Sequence, residues 1–356
     1  VTTHLTSPIE KLKYLDGLRG ILAVIVALHH AFGNFTGWHS GFYSIKNAVY
    51  CVDIFFILSG IVLYHNYHEA ISLKMISLKD FFLIRMFRLY PMHIFCFLLV
   101  PFFFSLSIGQ PYPDWIGKVT PLELFGDLTL LNALGLGFHV LTNGPAWSVS
   151  VELFAGTLIA WFSCLHQKCS LLLMIAAIII ICFINFDPTG ITNPAIPFMT
   201  SGVIRCLFCM SAGIFFYRVL CEKRIKFIRN IKITNTIMIT GLIAMPIIII
   251  HLHLSILSWT AFSLYCAMTI NLLPSSSFPV LAFLETPFFK WLGARSFSLY
   301  LLHTPVIFLL IRMQTDDTKH NILLAWAAIF IALMLSEFTS KFIEKPFTRF
   351  GHKFKS

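Results

Sequence analysis

The sequence predicts an all-α polytopic membrane protein, with about ten transmembrane helices and both termini in the cytoplasm. Three observations carry that prediction. Hydrophobic residues make up 57% of the 356 and charged residues only 12%, with a mean hydropathy of +0.81, whereas a soluble domain carries about 25% charge. Apolar stretches approaching the ~20 residues that cross a bilayer recur from end to end. The basic residues also sort by side. Of the 26 Lys and Arg, all but Lys46, Lys118, Arg205, Arg312 and Lys319 fall on the side of the termini, which the positive-inside rule makes cytoplasmic.

In chain order the spans are expected near 18–35, 47–67, 90–108, 145–165, 171–186, 199–220, 233–252, 255–273, 296–313 and 321–340. Residues 109–144 hold polar turns and a short amphipathic piece near Leu122–Leu134, expected at the interface or re-entering the membrane. Val1 to Ile9 are polar and unlike a cleavable signal peptide. No repeat or low-complexity tract stands out, so a single membrane domain over 1–356 with short tails and no appended soluble domain is expected.

The net charge of +10 does not signal nucleic acid, because the charges are placed as topology markers. The basic run Lys223, Arg224, Lys226, Arg229, Lys232 reads as such an anchor. The nine cysteines lie mostly in apolar segments, where Cys behaves as a small hydrophobe. Cys206 and Cys209 form a lone CxxC without the second pair a metal site needs, so no metal is expected.

The first span carries the most telling pattern. Arg19 and His30 are eleven residues apart, which is about three helical turns, so they share one face roughly 16 Å apart along the axis. His29 lies ~80° off that face. Ionisable side chains at membrane depth are costly and mark function. With the spans alternating in direction, His30, Asp53 and Glu152 fall at similar depth on three helices. A carboxylate beside an imidazole fixes its tautomer and raises its basicity, which suits a general base. Each acid could equally pair with a packing partner.

Other candidates follow along the chain. Arg85 and Arg88 are spaced i, i+3 on an expected short helix at the cytoplasmic surface. They suit either a bidentate grip on a phosphorylated ligand or snorkelling at the interface. Trp147 suits the interface, and Ser148 shares a helical face with Glu152. A serine entering a helix is more often a cap or a helix–helix contact than a nucleophile. Tyr300 and His303 share a face of the ninth span, either lining the same cavity or packing. Glu344-Lys-Pro346 reads as a cap or anchor, and His251 and His253 as solvated interface residues.

These residues together resemble the integral membrane acyltransferase-3 family. The resemblance runs nearly end to end, through Tyr14-Leu-Asp-Gly-Leu-Arg-Gly20, the Arg19–His30 spacing and Asp53-Ile-Phe-Phe-Ile-Leu-Ser-Gly60. It continues through Arg85-Met-Phe-Arg-Leu-Tyr-Pro91, Trp147-Ser-Val-Ser-Val-Glu152, Ser298-Leu-Tyr-Leu-Leu-His303 and Glu344-Lys-Pro346. It implies an O-acyltransferase of a bacterial inner membrane that uses acyl-CoA, usually acetyl-CoA, approached from the cytoplasm. The implied acceptor is a hydroxyl of a lipid-linked or surface glycan, such as lipopolysaccharide O-antigen or exopolysaccharide. Arg19 and His30 become the essential pair, with Asp53 and Glu152 beside them in the catalytic set. Arg85 and Arg88 go to the donor side, with Tyr300 and His303 as further donor-binding candidates, and Trp147 and Ser148 are candidates to contact the acceptor. The extracytoplasmic SGNH hydrolase-like domain of some larger members is not expected here, so transfer would be completed by the membrane domain or a separate partner.

The rival class is a proton-coupled transporter or glycan flippase, with His30, Asp53 and Glu152 as a relay. Against it, no inverted repeat is visible and the cytoplasmic arginines would have no task.

Overall fold

The computed structural model describes residues 12–38, 45–138, 141–184, 186–191, 194–196, 199–222, 234–237, 240–241, 254–275 and 280–355. Among them, seven helices are long and apolar enough to cross a membrane. These are α1 (Lys13–Thr36), α2 (Val49–Ser72), α3 (Leu78–Ile108), α5 (Ala146–Leu165), α7 (Ser201–Cys221), α11 (Ser296–Met313) and α12 (Thr318–Phe354). Two shorter apolar helices, α6 (Cys169–Phe183) and α8 (Ile256–Leu272), join them. Between them lie the short helices α4 (Pro121–Leu128), α9 (Val280–Leu284) and α10 (Pro287–Gly293). The described strands are one small antiparallel pair, β1 (Pro194–Ile196) and β2 (Met199–Thr200). The protein is an all-α polytopic membrane protein. The expected span at 233–252, the basic run 223–232 and His251 and His253 lie largely or wholly outside the described residues.

The third span departs from its expected bounds. Residues 78–108 form one continuous helix rather than a surface helix followed by a span, and Pro91 and Pro101 sit inside it. Proline keeps a helical φ and deletes a single N–H, a loss that neighbouring helices absorb within a membrane. Ser77 starts the helix by accepting the Asp80 N–H at 3.1 Å. Arg85 and Arg88 therefore stand on the same helix as the span, Arg85 turned toward α5 and Arg88 lining a cavity.

The helices form two groups. In one, α1 packs on α11 and α12, and α11 on α3, around Ala27, Phe32, Phe104, Leu299, Ile307 and Ala328. In the other, α2 packs on α5 and α7, and α7 on α6 and α8. Two glycines bring α2 and α7 together, since a side chain on Gly60 would collide with the Met210 carbonyl and one on Gly213 with the Ile57 carbonyl. At the start of α1, Gly17 and Gly20 admit the α9–α10 segment in the same way, against Leu284 and Gly293. The glycines of two of the motifs, Gly17 and Gly60, are thus places where backbones touch.

Within residues 109–144, Asp127, Leu130, Asn132, Ala133, Thr142 and Asn143 turn inward. The buried Asp127 carboxylate accepts from Asn132 Nδ2 at 2.6 Å, Thr142 Oγ1 at 2.5 Å and the Thr142 N–H at 2.8 Å. His93 Nε2 donates to its carbonyl at 2.9 Å. Ser150 on α5 and Thr200 donate to the Leu130 and Ala133 carbonyls. The segment is fixed against α3, α5 and the start of α7, and its end carries Gly144 and Pro145 into the site.

We expect Gly60→Leu to destabilise the protein by about 1–3 kcal/mol, the usual cost of overpacking. Thermal unfolding in detergent checks this, and an unchanged melting temperature would contradict the close α2–α7 approach.

Candidate active site

The seam between the two helix groups holds two cavities. The proximal one, beside the N-terminal half of α1, is a slot of about 70 Å³. Its polar lining is Arg19 of α1, Ser59 of α2, Arg88 of α3, Ser148 and Glu152 of α5, and Ser296 and Tyr300 of α11. The distal one, about 340 Å³, is lined by His29 and His30 of α1, Trp147 of α5, Pro145 and Tyr300. Val52 and Tyr300 line both. Arg19 and His30 thus serve different cavities of one seam, as two residues three turns apart on one helix face must.

Two buried ion pairs frame the seam. Arg85 donates from Nη2 to Glu152 Oε1 at 3.0 Å and to the Glu152 carbonyl at 3.1 Å, and from Nε to Thr157 Oγ1 at 2.9 Å. Ser59 donates to the same Glu152 oxygen at 2.6 Å, so α2, α3 and α5 meet on one carboxylate. Glu152 opens a five-residue π-helical turn, Glu152–Gly156, a widening common where a helix serves function. The second pair joins α2, α7 and α8. Asp53 accepts from Arg205 Nε at 2.9 Å and from Trp259 Nε1 at 3.0 Å. Arg205 also donates to the Gly190 and Val49 carbonyls.

Of the two readings left open for the acids, these pairings are those of packing partners. The Asp53 oxygens belong to Arg205 and Trp259, and Glu152 belongs to Arg85 and Ser59, so among the described residues neither acid hydrogen-bonds to His30. Arg205, taken as a marker of the far side, is fully buried; the partner it neutralises lies in a distant part of the sequence. Arg85, expected beside Arg88 on the donor side, spends its guanidinium on α5. Arg88 lines the proximal slot, and among the described residues no side chain bonds to it. Arg19 keeps only a 3.6 Å contact with the half-exposed Asp16.

At the distal cavity the ring of His30 stacks on that of His303, centroids 5.1 Å apart at 24°. His29 meets His30 edge-on at 4.9 Å. The His29 Nδ1 lies 2.8 Å from the Ile45 carbonyl, which can only accept, so Nδ1 carries the proton and Nε2 is left as an acceptor. His303 is held likewise, Nδ1 on the Leu299 carbonyl at 3.3 Å, with its buried Nε2 unpartnered among the described residues. Three imidazoles therefore gather here. His303 was a cavity candidate from sequence, but its stacking on His30 was not legible across 273 residues, and His29 was set aside because it sits ~80° off the chosen face.

Trp147 packs against neighbouring helices. It is buried, with the Arg205 guanidinium 5.2 Å from its ring centroid and Phe56 edge-on at 6.0 Å. Ser148 is a helix–helix contact, its Oγ 2.9 Å from the Tyr300 hydroxyl and 3.2 Å from the Pro145 carbonyl. Glu344 closes another π-helical turn and accepts from Ser298 of α11 at 2.8 Å, which ties α12 to the site wall. Cys206 and Cys209 are buried in α7.

A polytopic helical bundle with cationic side chains on one side of an internal seam and imidazoles on the other fits a membrane enzyme or carrier. Comparison with known proteins narrows the choice. Residues 12–338 match the acyltransferase-3 family, described as an acyltransferase domain, and the chain belongs to that family. It is also similar to "Protein 2 in picA locus" of Rhizobium radiobacter, with 30% identity over 187 residues, which is 49% of this chain and 95% of that relative. No solved structure matches the chain. The family makes acyl transfer the class of reaction expected of the chain.

Removing Arg205 leaves the Asp53 carboxylate buried and unpaired, which we expect to cost about 3–5 kcal/mol. In Arg205→Ala the yield of folded protein should collapse, and adding Asp53→Asn should restore part of it. Equal yields in all three would show that the pair carries no such load.

Proposed function

We propose that the protein transfers an acetyl group from acetyl-CoA to a hydroxyl of a cell-surface polysaccharide sugar, within the inner membrane of a bacterium. The single observation that supports this most is the division of labour along α1. Arg88, to which no side chain bonds among the described residues, and Arg19, held only by its 3.6 Å contact with Asp16, line the slot on the cytoplasmic side of the expected topology, and His30 lines a roomier cavity beyond it. A guanidinium kept from its own carboxylates suits the phosphates of a coenzyme. Tyr300, taken with the donor side from sequence, lines the slot and the cavity alike, and His303 stacks on His30.

The chemistry then runs across the shared wall. The thioester arm reaches up the slot toward Val52 and Tyr300. A sugar hydroxyl in the distal cavity attacks the thioester carbonyl while His30 Nε2 or Nδ1 takes its proton. The new C–O bond forms, the C–S bond breaks, and His30 returns the proton to the departing thiolate. His30 suits this role because no protein group among the described residues bonds to its ring, which leaves both nitrogens for substrate. The stacked His303 and the edge-on His29 limit how the ring can turn. Asp53 and Glu152 act at one remove, by holding α2 and α5 in place. A direct transfer needs no covalent intermediate on Ser148, whose hydroxyl is already engaged. The transporter reading has no observation in its favour, since an arginine closes each acid of its relay.

Membranes containing the protein should move label from acetyl-CoA into a glycan fraction. We expect His30→Ala to reduce that transfer by about 10²–10⁴-fold at equal protein level. Full activity in this variant would remove His30 as the base. Arg88→Ala should raise the donor KM about tenfold or more, the worth of one lost charge-assisted hydrogen bond, and an unchanged KM would make Arg88 a membrane anchor.

A further inference from the structure

Acyl transfer places a negative charge on the carbonyl oxygen as the tetrahedral intermediate forms, and a fixed donor aimed at that oxygen is usually the largest contribution to catalysis. The acids and bases discussed so far supply none. The donor must reach the carbonyl where the donor slot and the acceptor cavity meet, because attack occurs only there. Among the described residues, Tyr300 is the one polar side chain that lines both cavities.

We propose that the Tyr300 hydroxyl is the oxyanion donor of the transfer reaction, with Ser148 as the residue that positions it. This rests on the acyl-transfer reading given above. The surroundings of the phenol suit the task. Tyr300 is buried, with Phe55 edge-on at 5.7 Å and His303 at 6.1 Å, so its ring is held between α2 and the imidazole that stacks on His30. Its oxygen lies 2.9 Å from Ser148 Oγ and 3.3 Å from the Pro145 carbonyl. Ser148 can donate to that same carbonyl at 3.2 Å. When it does, its oxygen accepts the phenol proton, and Tyr300 rests on a neutral partner that a developing oxyanion outcompetes.

The alternatives in the slot are already engaged. Ser59 donates to Glu152, and Ser296 donates to the Gly293 carbonyl at 2.8 Å. The arginines line the slot but not the acceptor cavity. No net proton leaves Tyr300 in the step. The acceptor hydroxyl forms the C–O bond and gives its proton to His30, the carbonyl π pair moves to oxygen and is hydrogen-bonded by Tyr300, and the pair returns as the C–S bond breaks. The thiolate then takes the proton from His30.

The test compares steady-state transfer from labelled acetyl-CoA by wild type, Tyr300→Phe and Ser148→Ala in membranes, with binding of CoA measured alongside. We expect Tyr300→Phe to lose about 10²–10³-fold in kcat, with the donor KM and CoA affinity within about threefold. Ser148→Ala should lose about tenfold in kcat, the value of one neutral hydrogen bond at the generous end. Near-wild-type kcat in Tyr300→Phe, or a loss carried by KM and CoA affinity, would overturn the assignment while leaving acyl transfer standing. A wild type that moves no label, yet is folded and offered its donor and a glycan, would instead overturn the acyl-transfer reading and this inference with it. Should Tyr300→Phe fail to accumulate, 3-fluorotyrosine at position 300 keeps the ring and makes the hydroxyl a stronger donor. A changed kcat with unchanged KM would support the role, and an unchanged kcat would refute it.

Discussion

Burying charge in a bilayer is expensive unless each charge meets its opposite, and this constraint arranges the protein. Arg205 meets Asp53 across α7 and α2, and Arg85 meets Glu152 across α3 and α5. Each pair is completed by further donors, Trp259 in one case and Ser59 in the other, so no lone pair of importance is left facing hydrocarbon. What the pairs do not consume is equally telling. Arg88 and His30 line the seam without a hydrogen-bonding protein partner among the described residues, and Arg19 has only a long contact at the surface. A cation or an imidazole retained at such depth without its own counter-group is costly, and a ligand that supplies the missing partner relieves the cost.

The pairs also explain how a seam can exist at all. The two helix groups are each closely packed, one through small residues such as Ala27 and Ala328 and the other through the Gly60–Gly213 approach. Between them the wall mixes polar and apolar side chains from α1, α2, α3, α5 and α11. Glu152 sits at the widened turn of α5, and Glu344 closes one in α12. Each offers its carboxylate to a side chain on another helix. Irregular helix geometry is concentrated where polar side chains must reach across, which is where a membrane protein tolerates it.

The distal cavity shows the same economy with imidazoles. The carbonyls of Ile45 and Leu299 select the tautomers of His29 and His303, and these two rings border His30 on two sides. Tyr300 stands next to this group and faces both cavities. The residues that touch the seam come from motifs scattered over nearly 300 positions, yet they converge on a wall only a few side chains wide.

By itself the sequence determined the class of fold, the positions of most spans and the family, because hydropathy and helical spacing are local properties. It placed Arg19 and His30 on one face because a single helix sets both, and it put Ser148 with Glu152 for the same reason. Partner choice was beyond it. That Asp53 belongs to Arg205 and Trp259 rather than to His30, that Arg85 turns inward while Arg88 faces the slot, and that His303 stacks on His30 all depend on which helices are neighbours. The third span was read too short because the charged stretch with Arg85 and Arg88 looks like a separate surface helix until its partners on other helices are known. Neighbour relations are fixed by packing between groups far apart in the chain, and equal depth is not contact. Only the tertiary structure decided which charges neutralise each other and which remain for a ligand.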